Sequence, residues 1–448
     1  MTLHADTIRL QLAQGPMTSR QLQQQLGLSQ ATLSRALRAM GGQIVRLGAG
    51  SAIHYALHDS VRGLPDMPVY RVTPEGQIQE LGLLLPVRPE GFVMCQTAGK
   101  RLHSDGLPWW LYDMRPQGYL GRAYAQRHGA LLGLPTTLSQ WTDTHALMAL
   151  LRHGQDVTGN LLLGDAMRTA YLESADPLPV ASADKPQVYG EMAREAAQGE
   201  LPGSSAGGEQ PKFTVYADAE MAPQHMIVKF SEAADNSVTR RWRDLLLAEH
   251  LALQVLAEQG VAAARSSIVD HGSQRFLEVQ RFDRVGVRGR RALFSLAALD
   301  AEFVGAAQSG WPAITRQLAR QGLIRPEAAE GAALLWAFGT LIGNTDMHTG
   351  NLSFISDHGR PYALAPAYDM TPMAFAPRSG GSYLDDMPQT GLHPDVTPAQ
   401  WLQAEALAQH YLRRLQTESR FDAAFAPCLL ALEQHLIAMG RKIRLLAT

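Results

Sequence analysis

The N-terminal stretch of the chain carries apolar residues at helical spacing, with a short glycine turn between its second and third runs. Apolar positions that recur every three or four residues predict helices. The predicted spans are Thr7 to Ala13, Thr18 to Leu26, and Gln30 to Met40. Thr18 and Ser29 stand where helix N-caps are expected. Helix, glycine turn and helix in this order predict a helix-turn-helix.

A β-hairpin is predicted after these helices, because Gln43–Leu47 and Ala52–Leu57 flank Gly48-Ala49-Gly50. Such a hairpin is the wing of a winged helix, so residues 1–62 are predicted to form a winged helix-turn-helix. The third helix is expected to bury the apolar side chains Ala31, Leu33 and Leu37.

The outer face of the third helix is polar and basic. Residues 1–65 hold six arginines against Asp6 and Asp59, which gives a local charge of +4 in a chain of net charge −2. A local basic module is typical of DNA-binding domains; protein contact or dimerisation is the alternative. The candidate DNA-binding residues are Gln30, Thr32, Ser34, Arg35 and Arg38.

Strand and helix patterns alternate through the rest of the chain, which predicts an α+β fold. Strands are predicted near residues 69–81, 213–216, 225–230 and 276–284, and helices over 119–171, 236–259, 328–341 and much of 398–446. The predicted domains are 1–62, an N-terminal subdomain with an ATP-binding lobe at 69–284, and a helical C-terminal lobe at 285–448.

Composition narrows the class of protein. A chain of 448 residues is expected to hold two or three domains. Two cysteines, Cys95 and Cys428, cannot build a disulfide framework. Neither a secretory signal nor a run of about 18 apolar residues is found in the sequence, so we expect a cytoplasmic protein without a membrane span.

Small residues crowd the segment Leu201 to Lys212, directly before a predicted strand. Glycines such as Gly207 and Gly208 let backbone N–H groups approach phosphates closely. The G-K-[ST] ending of a Walker A loop is missing. A flexible linker is the alternative reading of this segment.

Lysine is rare here, with five lysines against 35 arginines, so the positions of Lys212 and Lys229 are informative. Lys229 lies inside an apolar strand, where alternation places it on the same face as Ile227. A lysine on a half-buried face needs a partner, and Glu249 on the following helix is one candidate.

Asp346 and Asn351 stand at the D-x-x-x-x-N spacing of a kinase catalytic loop, and Asp369 follows after an apolar approach. In phosphoryl transfer one Asp orients or deprotonates the attacking hydroxyl, while an Asn and a second Asp hold Mg²⁺. His-Arg before Asp346 and Phe-Gly after Asp369 are missing, which excludes an ordinary eukaryotic protein kinase. Asp and Asn are also common loop residues, so the spacing alone is weak.

The order of these motifs resembles the HipA-like serine/threonine kinases of bacterial toxin–antitoxin systems over roughly residues 69–440. The added N-terminal module is similar to the YjjJ (HipH) branch of that family. The motifs are the small-residue loop, Gln-Pro-Lys, the strand lysine, Arg-Phe-Asp-Arg, Asn-x-Asp-x-His-x-x-Asn and Tyr-Asp-Met-x-Pro.

The resemblance implies ATP and Mg²⁺ as cofactors and a role for each matched residue. Asp346 is the implied catalytic residue, with His348 in its loop, and Asn351 and Asp369 are the implied metal ligands. The implied nucleotide-binding residues are Lys229, Gly207, Gly208, Gln210, Lys212, Gln280 and Phe282, the last two at the hinge that frames adenine.

The family also implies autophosphorylation of a loop serine, which is Ser205 or, as the alternative, Ser204. It implies a translation-related protein substrate such as an aminoacyl-tRNA synthetase, and an antitoxin partner unless the fused module replaces it. Two residues depart from relatives, which often carry Lys or Arg at Gly350 and Glu at Gln280.

The sequence therefore favours a Mg-ATP-dependent kinase toxin. A DNA-binding regulator whose kinase-like domain only senses a nucleotide is the first alternative, supported by the N-terminal module and Gly350. A small-molecule phosphotransferase is the second.

Overall fold

The computed structural model describes residues 2–48, 53–197, 210–378, 382 and 385–446. Helices and antiparallel sheets are mixed along the chain, as the α+β prediction requires. Two predicted features fall outside the described residues: the tip of the N-terminal hairpin, and most of the small-residue segment, including Gly207, Gly208, Ser204 and Ser205.

Residues 2–48 and 53–57 form three helices beside a small sheet of order β1-β3-β2. Thr18 and Ser29 cap α2 and α3 as predicted, each accepting a backbone N–H at 3.2 Å. The prediction for Ala31 is wrong: it is exposed, and the buried face runs through Leu33, Leu37 and Met40. The elements are α1 Thr2–Leu12, β1 Met17–Thr18, α2 Ser19–Leu26, α3 Gln30–Met40, β2 Ile44–Leu47 and β3 His54–Leu57.

A five-stranded antiparallel sheet of order β7-β6-β5-β4-β8 follows. The predicted helical run from 119 to 171 is interrupted, because the apolar segment Leu161–Leu163 pairs with β4 as an edge strand. The elements are β4 Met67–Val72, β5 Ile78–Val87, β6 Gly91–Gln96, β7 Arg101–Ser104, α4 Gly118–His128, α5 Asp143–His153, β8 Leu161–Leu163 and α6 Asp165–Glu173.

The N-terminal unit packs directly on this sheet. Val45 and Leu47 of β2 share a buried cluster with Val87 and Val93. Arg62 donates to the carbonyl oxygens of Val87 (3.1 Å), Glu90 (2.9 Å) and Gly91 (2.8 Å). The contact is therefore both apolar and hydrogen-bonded.

The next sheet is four-stranded and antiparallel, with the order β11-β12-β10-β9. Both α7 and α8 pack against it. β12 ends at Gln280, not at residue 284 as predicted, and a short hairpin of β13 and β14 follows. The elements are α7 Lys185–Ala197, β9 Lys212–Ala217, β10 Gln224–Phe230, α8 Ser237–Glu258, β11 Ser266–His271, β12 Gln274–Gln280, β13 Arg284–Val285 and β14 Gly289–Arg290.

The remaining chain is helical around the apolar helix α11, with a three-stranded sheet of order β15-β16-β17 at its side. By length and composition one helical stretch among the described residues, Ala423–Leu446, could cross a membrane; one face of it is buried against α11 and α12. The elements are β15 Ala292–Ser295, α9 Leu296–Phe303, α10 Gly310–Arg320, α11 Pro326–Ile342, β16 Ser353–Ser356, β17 Ala363–Leu364, α12 Pro398–Thr417 and α13 Ala426–Leu446.

Candidate functional site

The loop after α11 carries Asp346, and its shape is fixed by a buried asparagine. α11 ends at Ile342, and the left-handed φ of 77° at the following Gly343 turns the chain out of the helix. Asn344 then accepts from Asp346 N at 3.0 Å and donates to the carbonyl oxygen of Asp369 at 3.0 Å. One buried side chain thus holds the two acidic loops together.

Further hydrogen bonds close the same loop. Asn351 Nδ2 donates to Asp346 O at 2.8 Å, and Tyr368 donates to Gly350 O at 2.9 Å. His348 accepts from Gly350 N through Nδ1 at 3.0 Å. Asp346 and His348 remain exposed, so a large substrate can reach them.

Lys229 of β10 lies between two carboxylates. Its Nζ is 2.7 Å and 2.9 Å from the oxygens of Glu249 on α8, and it also donates to Asp369 Oδ1. Thr371 donates to Glu249 Oε2 at 2.7 Å. Lys229 is 6% exposed and Glu249 is fully buried, so the predicted strand lysine has the partner that burial requires.

The charges of this cluster shift its acid–base properties. Burial lowers the pKa of Lys229, but the carboxylates of Asp369 and Glu249 more than offset burial and raise it. Burial raises the pKa of Asp369, but the Lys229 and Lys212 ammonium groups outweigh burial and lower it. For Asp346, partial burial and the Asp369 charge raise the pKa against the opposing effect of His348.

Asp369 has a strained backbone. Its φ is 54°, and it is the one non-glycine residue with positive φ in the described ranges. Asp tolerates this conformation better than most residues, and such strain concentrates at functional sites.

These residues border a cleft of about 510 Å³ between the four-stranded sheet and the helical part. The predicted site residues that line it are Lys212, Lys229, Gln280, Phe282, Asn351 and Asp369. Asp346 and His348 belong to the bordering loop. Gln210 is half-buried, and its Nε2 has no hydrogen-bond partner among the described residues.

The segment after β12 offers a free backbone donor to this cleft. Gln280 N donates to Arg265 O at 2.8 Å, and Arg281 N donates to His225 O at 2.8 Å. The N–H of the next residue, Phe282, has no partner within the described part of the chain. The Phe282 ring packs 5.6 Å from the Tyr368 ring.

Gly350 and His348 are mutually constrained. A Cβ at position 350 would lie 2.8 Å from His348 Cε1. A lysine or arginine here would require His348 to move, which is a physical reason for the glycine.

Several residues of the site escaped sequence reasoning. Thr371 fills the variable position of its motif and carried no signal of its own, whereas Tyr368 stood in the Tyr-Asp-Met-x-Pro motif and Asn344 in the Asn-x-Asp motif, without an assigned role. Asp113, from the five-stranded-sheet segment, lines the cleft and accepts from the Ser295 N and Oγ at 2.6 Å each. Burial raises the pKa of this carboxyl group. Nothing in the sequence around Asp113 indicated a long-range partner.

The donor atoms suit Mg²⁺ held through phosphates. Asn351 and Asp369 supply the oxygen ligands that Mg²⁺ prefers, and one or two such ligands suffice when phosphates and water complete the shell. Among the described residues no group of three or more His, Cys, Asp or Glu side chains forms a metal cluster.

The candidate DNA-binding residues lie on α3, apart from the cleft. Gln30, Ser34, Arg35 and Arg38 are exposed. Thr32 is half-buried, and its hydroxyl lies 3.0 Å from the capping Ser29 hydroxyl. Four of the five residues are therefore available to a partner at this surface.

Two family models match the chain: one described as a YjjJ-like toxin middle domain at residues 64–172, and one described as a HipA-like C-terminal domain at residues 204–432. Toxin YjjJ of Escherichia coli (strain K12) is 38% identical over 416 residues, which cover 92% of this chain and 93% of that protein. These matches confirm the family resemblance.

The fold has a solved counterpart. A chain of the Shewanella oneidensis MR-1 toxin–antitoxin complex of HipA, HipB and its operator DNA matches with a TM-score of 0.52 and 15% identity. The match covers 84% of this chain and 97% of that chain. The α+β architecture of this chain is therefore HipA-like.

Proposed function

We propose, from the premise that this chain belongs to the family of YjjJ-like toxins with a HipA-like C-terminal domain, that it is a Mg-ATP-dependent serine/threonine protein kinase. The observation that carries the proposal is the buried Lys229–Glu249 pair beside Asp369, in a cleft that the Asp346 loop lines through Asn351. Kinases use a strand lysine paired with a helix glutamate to hold ATP phosphates.

ATP would bind with its adenine at the segment 280–282 and its phosphates toward Lys229. The free Phe282 N–H is a suitable donor to the adenine edge. Lys212, Gln210 and the glycines Gly207 and Gly208 would hold the phosphates from the other side. Bound Mg²⁺ supplies charge neutralisation of the phosphates, and Asn351 and Asp369 would hold it.

Binding changes the partner of Lys229. In this structure the Lys229 ammonium is shared between Glu249 and Asp369. We infer that nucleotide binding releases Asp369 from Lys229, while the Glu249 contact keeps Lys229 in position.

Asp346 is the proposed proton acceptor for the target hydroxyl. It is exposed, and its main chain is fixed by Asn344 and Asn351. A base positioned in this way contributes roughly 10²- to 10⁴-fold to the transfer rate. His348, in the same loop, is proposed to line the approach of the target.

The test is phosphate incorporation measured by intact-mass and peptide mass spectrometry after incubation with Mg-ATP. The parent protein is expected to gain phosphate on Ser205 or Ser204, which lie outside the described residues. Asp346→Ala is expected to lose at least about 10²-fold of that rate while its circular dichroism stays unchanged. Equal incorporation by the two proteins would remove Asp346 from its proposed role.

DNA binding by residues 1–62, as a winged helix-turn-helix, is a second part of the proposal. It rests on the exposed Arg35 and Arg38 of α3 and on the hairpin β2–β3. Removing both charges, as Arg35→Gln/Arg38→Gln, should weaken duplex DNA binding and reduce the salt slope by about 0.9 per lost phosphate contact.

Fluorescence anisotropy across a salt series measures both quantities. Arg441→Gln, an exposed arginine on α13, is the matched control and is expected to bind DNA like the parent. Identical affinity and slope for the double variant would leave the N-terminal unit as a protein-contact module.

The cellular setting is proposed from the family. We infer a cytoplasmic protein whose substrate is a translation-related protein such as an aminoacyl-tRNA synthetase, with an antitoxin partner unless the fused N-terminal unit replaces it. The alternative, a DNA-binding regulator that senses nucleotide without transfer, is favoured by the firm attachment of that unit through Arg62. Tight ATP binding without phosphate incorporation would select that alternative.

A further inference from the structure

Asp113 is an acidic side chain of the cleft that the proposed phosphate transfer does not use. It lies in the short 3₁₀ helix Trp109–Met114, is half-buried, and lines the cleft. This helix belongs to the middle domain, residues 64–172, whereas the residues proposed above to hold the nucleotide all lie after position 206. Asp113 therefore brings a charged group of the middle domain into the proposed nucleotide site.

The two hydrogen bonds that Asp113 accepts among the described residues both come from Ser295. The Ser295 N and Oγ donate to the two different carboxylate oxygens at 2.6 Å each. Arg115 acts on the carboxylate electrostatically, but its guanidinium pairs with Asp143 at 3.2 Å. A carboxylate has about four lone-pair sites. Each oxygen of Asp113 can therefore accept a further hydrogen bond.

Asp113 is connected to Tyr368 through two serines. Ser295 is the register partner of Ser353 across β15 and β16, and the Ser353 Oγ lies 2.7 Å from the Tyr368 hydroxyl. Burial, with the charges of Asp369 and Asp113, raises the pKa of Tyr368 against the hydrogen bond with Ser353. Asp113 is thus within electrostatic reach of Tyr368.

Tyr368 lies between the two ends of the proposed nucleotide site. Its ring packs 5.6 Å from the ring of Phe282, at the adenine end. The next residue, Asp369, is a proposed metal ligand at the phosphate end. In a nucleotide the sugar joins the base to the phosphates, so the sugar must occupy the middle of this site. Asp113 therefore borders the region where the sugar would lie.

We propose that Asp113 accepts hydrogen bonds from the 2′- and 3′-hydroxyls of the nucleotide's ribose and so selects ribonucleotides. This role depends on the nucleotide binding proposed above, not on phosphate transfer. The negative charge of Asp113 would repel phosphate, whereas ribose hydroxyls are neutral donors. An acidic side chain also accepts a ribose hydroxyl in dinucleotide-binding folds. The two neighbouring hydroxyls of a ribose equal in number the two oxygens that can accept them.

Support of a helix end is the alternative role of Asp113. Ser295 caps α9 by accepting from Ala298 N at 3.2 Å, and Asp113 holds the capping hydroxyl. Loss of that support would weaken the binding of every nucleotide by a similar factor. Loss of a ribose contact weakens only the nucleotides that carry the hydroxyl, so the two roles can be separated.

The experiment compares ATP, 2′-deoxy-ATP and 3′-deoxy-ATP, each with Mg²⁺, by isothermal titration calorimetry of the full-length protein. The parent is expected to bind at least one deoxy nucleotide about ten- to a hundredfold more weakly than ATP, because a hydrogen bond to a charged group is lost. Asp113→Ala should lose this discrimination, so its affinities for the three nucleotides should be nearly equal.

Asp113→Asn keeps one acceptor oxygen and should discriminate to an intermediate degree. It keeps the test valid if the circular dichroism of Asp113→Ala shows a protein that fails to fold. Asp105→Asn, at an exposed aspartate of the same domain that does not line the cleft, is the matched control and should discriminate like the parent.

Equal affinities of the parent for the three nucleotides would overturn the ribose contact alone. So would an Asp113→Ala protein that binds all three more weakly by the same factor. Absence of ATP binding by the parent would overturn the proposed function as well. Sugar discrimination without phosphate incorporation would support the ribose contact while contradicting the proposed kinase activity.

Discussion

Lys229 is held by acidic side chains that lie 20 and 140 positions away in the chain. The contact with Glu249 is fully buried, so each group depends on the other for charge compensation. At the scale of single residues, this pair links the stability of the fold to the candidate nucleotide site.

Replacing the lysine should separate these two effects. Lys229→Met is expected to lower the free energy of unfolding by about 3–5 kcal/mol, because Glu249 is left charged and buried. Adding Glu249→Gln removes that charge and should restore part of the stability, but not nucleotide binding. Denaturant unfolding and nucleotide titration of the three proteins measure this; a Lys229→Met protein as stable as the parent would contradict the pairing.

At the scale of elements, α8 carries Glu249 on one turn and a second buried carboxyl group, Asp244, further toward its start. Asp244 is 3% exposed and accepts from Asp422 N at 3.1 Å. Burial raises its pKa to about 7, although Arg275 and Arg241 oppose this. The helix thus carries a group that charges near neutral pH.

This group predicts a pH dependence of stability. A carboxyl group whose folded pKa lies above its unfolded value stabilises the fold when protonated, and that contribution is lost as the pH rises through about 7. Asp244→Asn keeps the acceptor without the charge. Its free energy of unfolding should therefore exceed that of the parent by on the order of 4 kcal/mol at pH 8, and the difference should shrink at pH 5.

Denaturant unfolding at the two pH values provides the measurement. Asp386→Asn, at an exposed aspartate, is the control and should show no such pH-dependent difference. A constant gain at both pH values would mean that the charge of Asp244 is not its cause.

At the scale of the whole molecule, Arg62 joins the N-terminal unit to the five-stranded sheet. It pairs with the fully buried Asp59 and donates to three carbonyl oxygens of the β5–β6 region. Its guanidinium also lies 4.7 Å from the Phe92 ring centroid. The N-terminal unit is therefore fixed to the sheet by direct contacts, in addition to the peptide chain that connects them.

Loss of Arg62 should weaken the contact between the N-terminal unit and the five-stranded sheet. Arg62→Ala is expected to raise amide hydrogen exchange in β2, β3 and β5, because Asp59 keeps a buried charge without its partner. Arg46→Ala, at an exposed arginine of β2, is the control. Unchanged exchange in Arg62→Ala would show that the apolar contact of Val45 and Leu47 is sufficient alone.

The spacing of residues along the sequence correctly predicted several features that depend only on near neighbours in the chain. The caps at Thr18 and Ser29 and the span of α3 follow from neighbours three or four residues apart, and the structure confirms them. The strand at 161–163 was missed, since three apolar residues cannot be told from a helix turn until β4 provides the partner. β12 ends early because the chain turns into the β13–β14 hairpin.

The sequence by itself determined the family, through the order of its motifs, and the residue types available for the proposed phosphoryl transfer. Only the tertiary structure decided that Glu249, among several acids, pairs with Lys229, and that Asn344 ties Asp346 to Asp369. It also decided that Asp113 joins the cleft. The physical reason is that spacing along a chain fixes contacts within one helix or hairpin, whereas the partner of a buried charge is set by which elements pack against it.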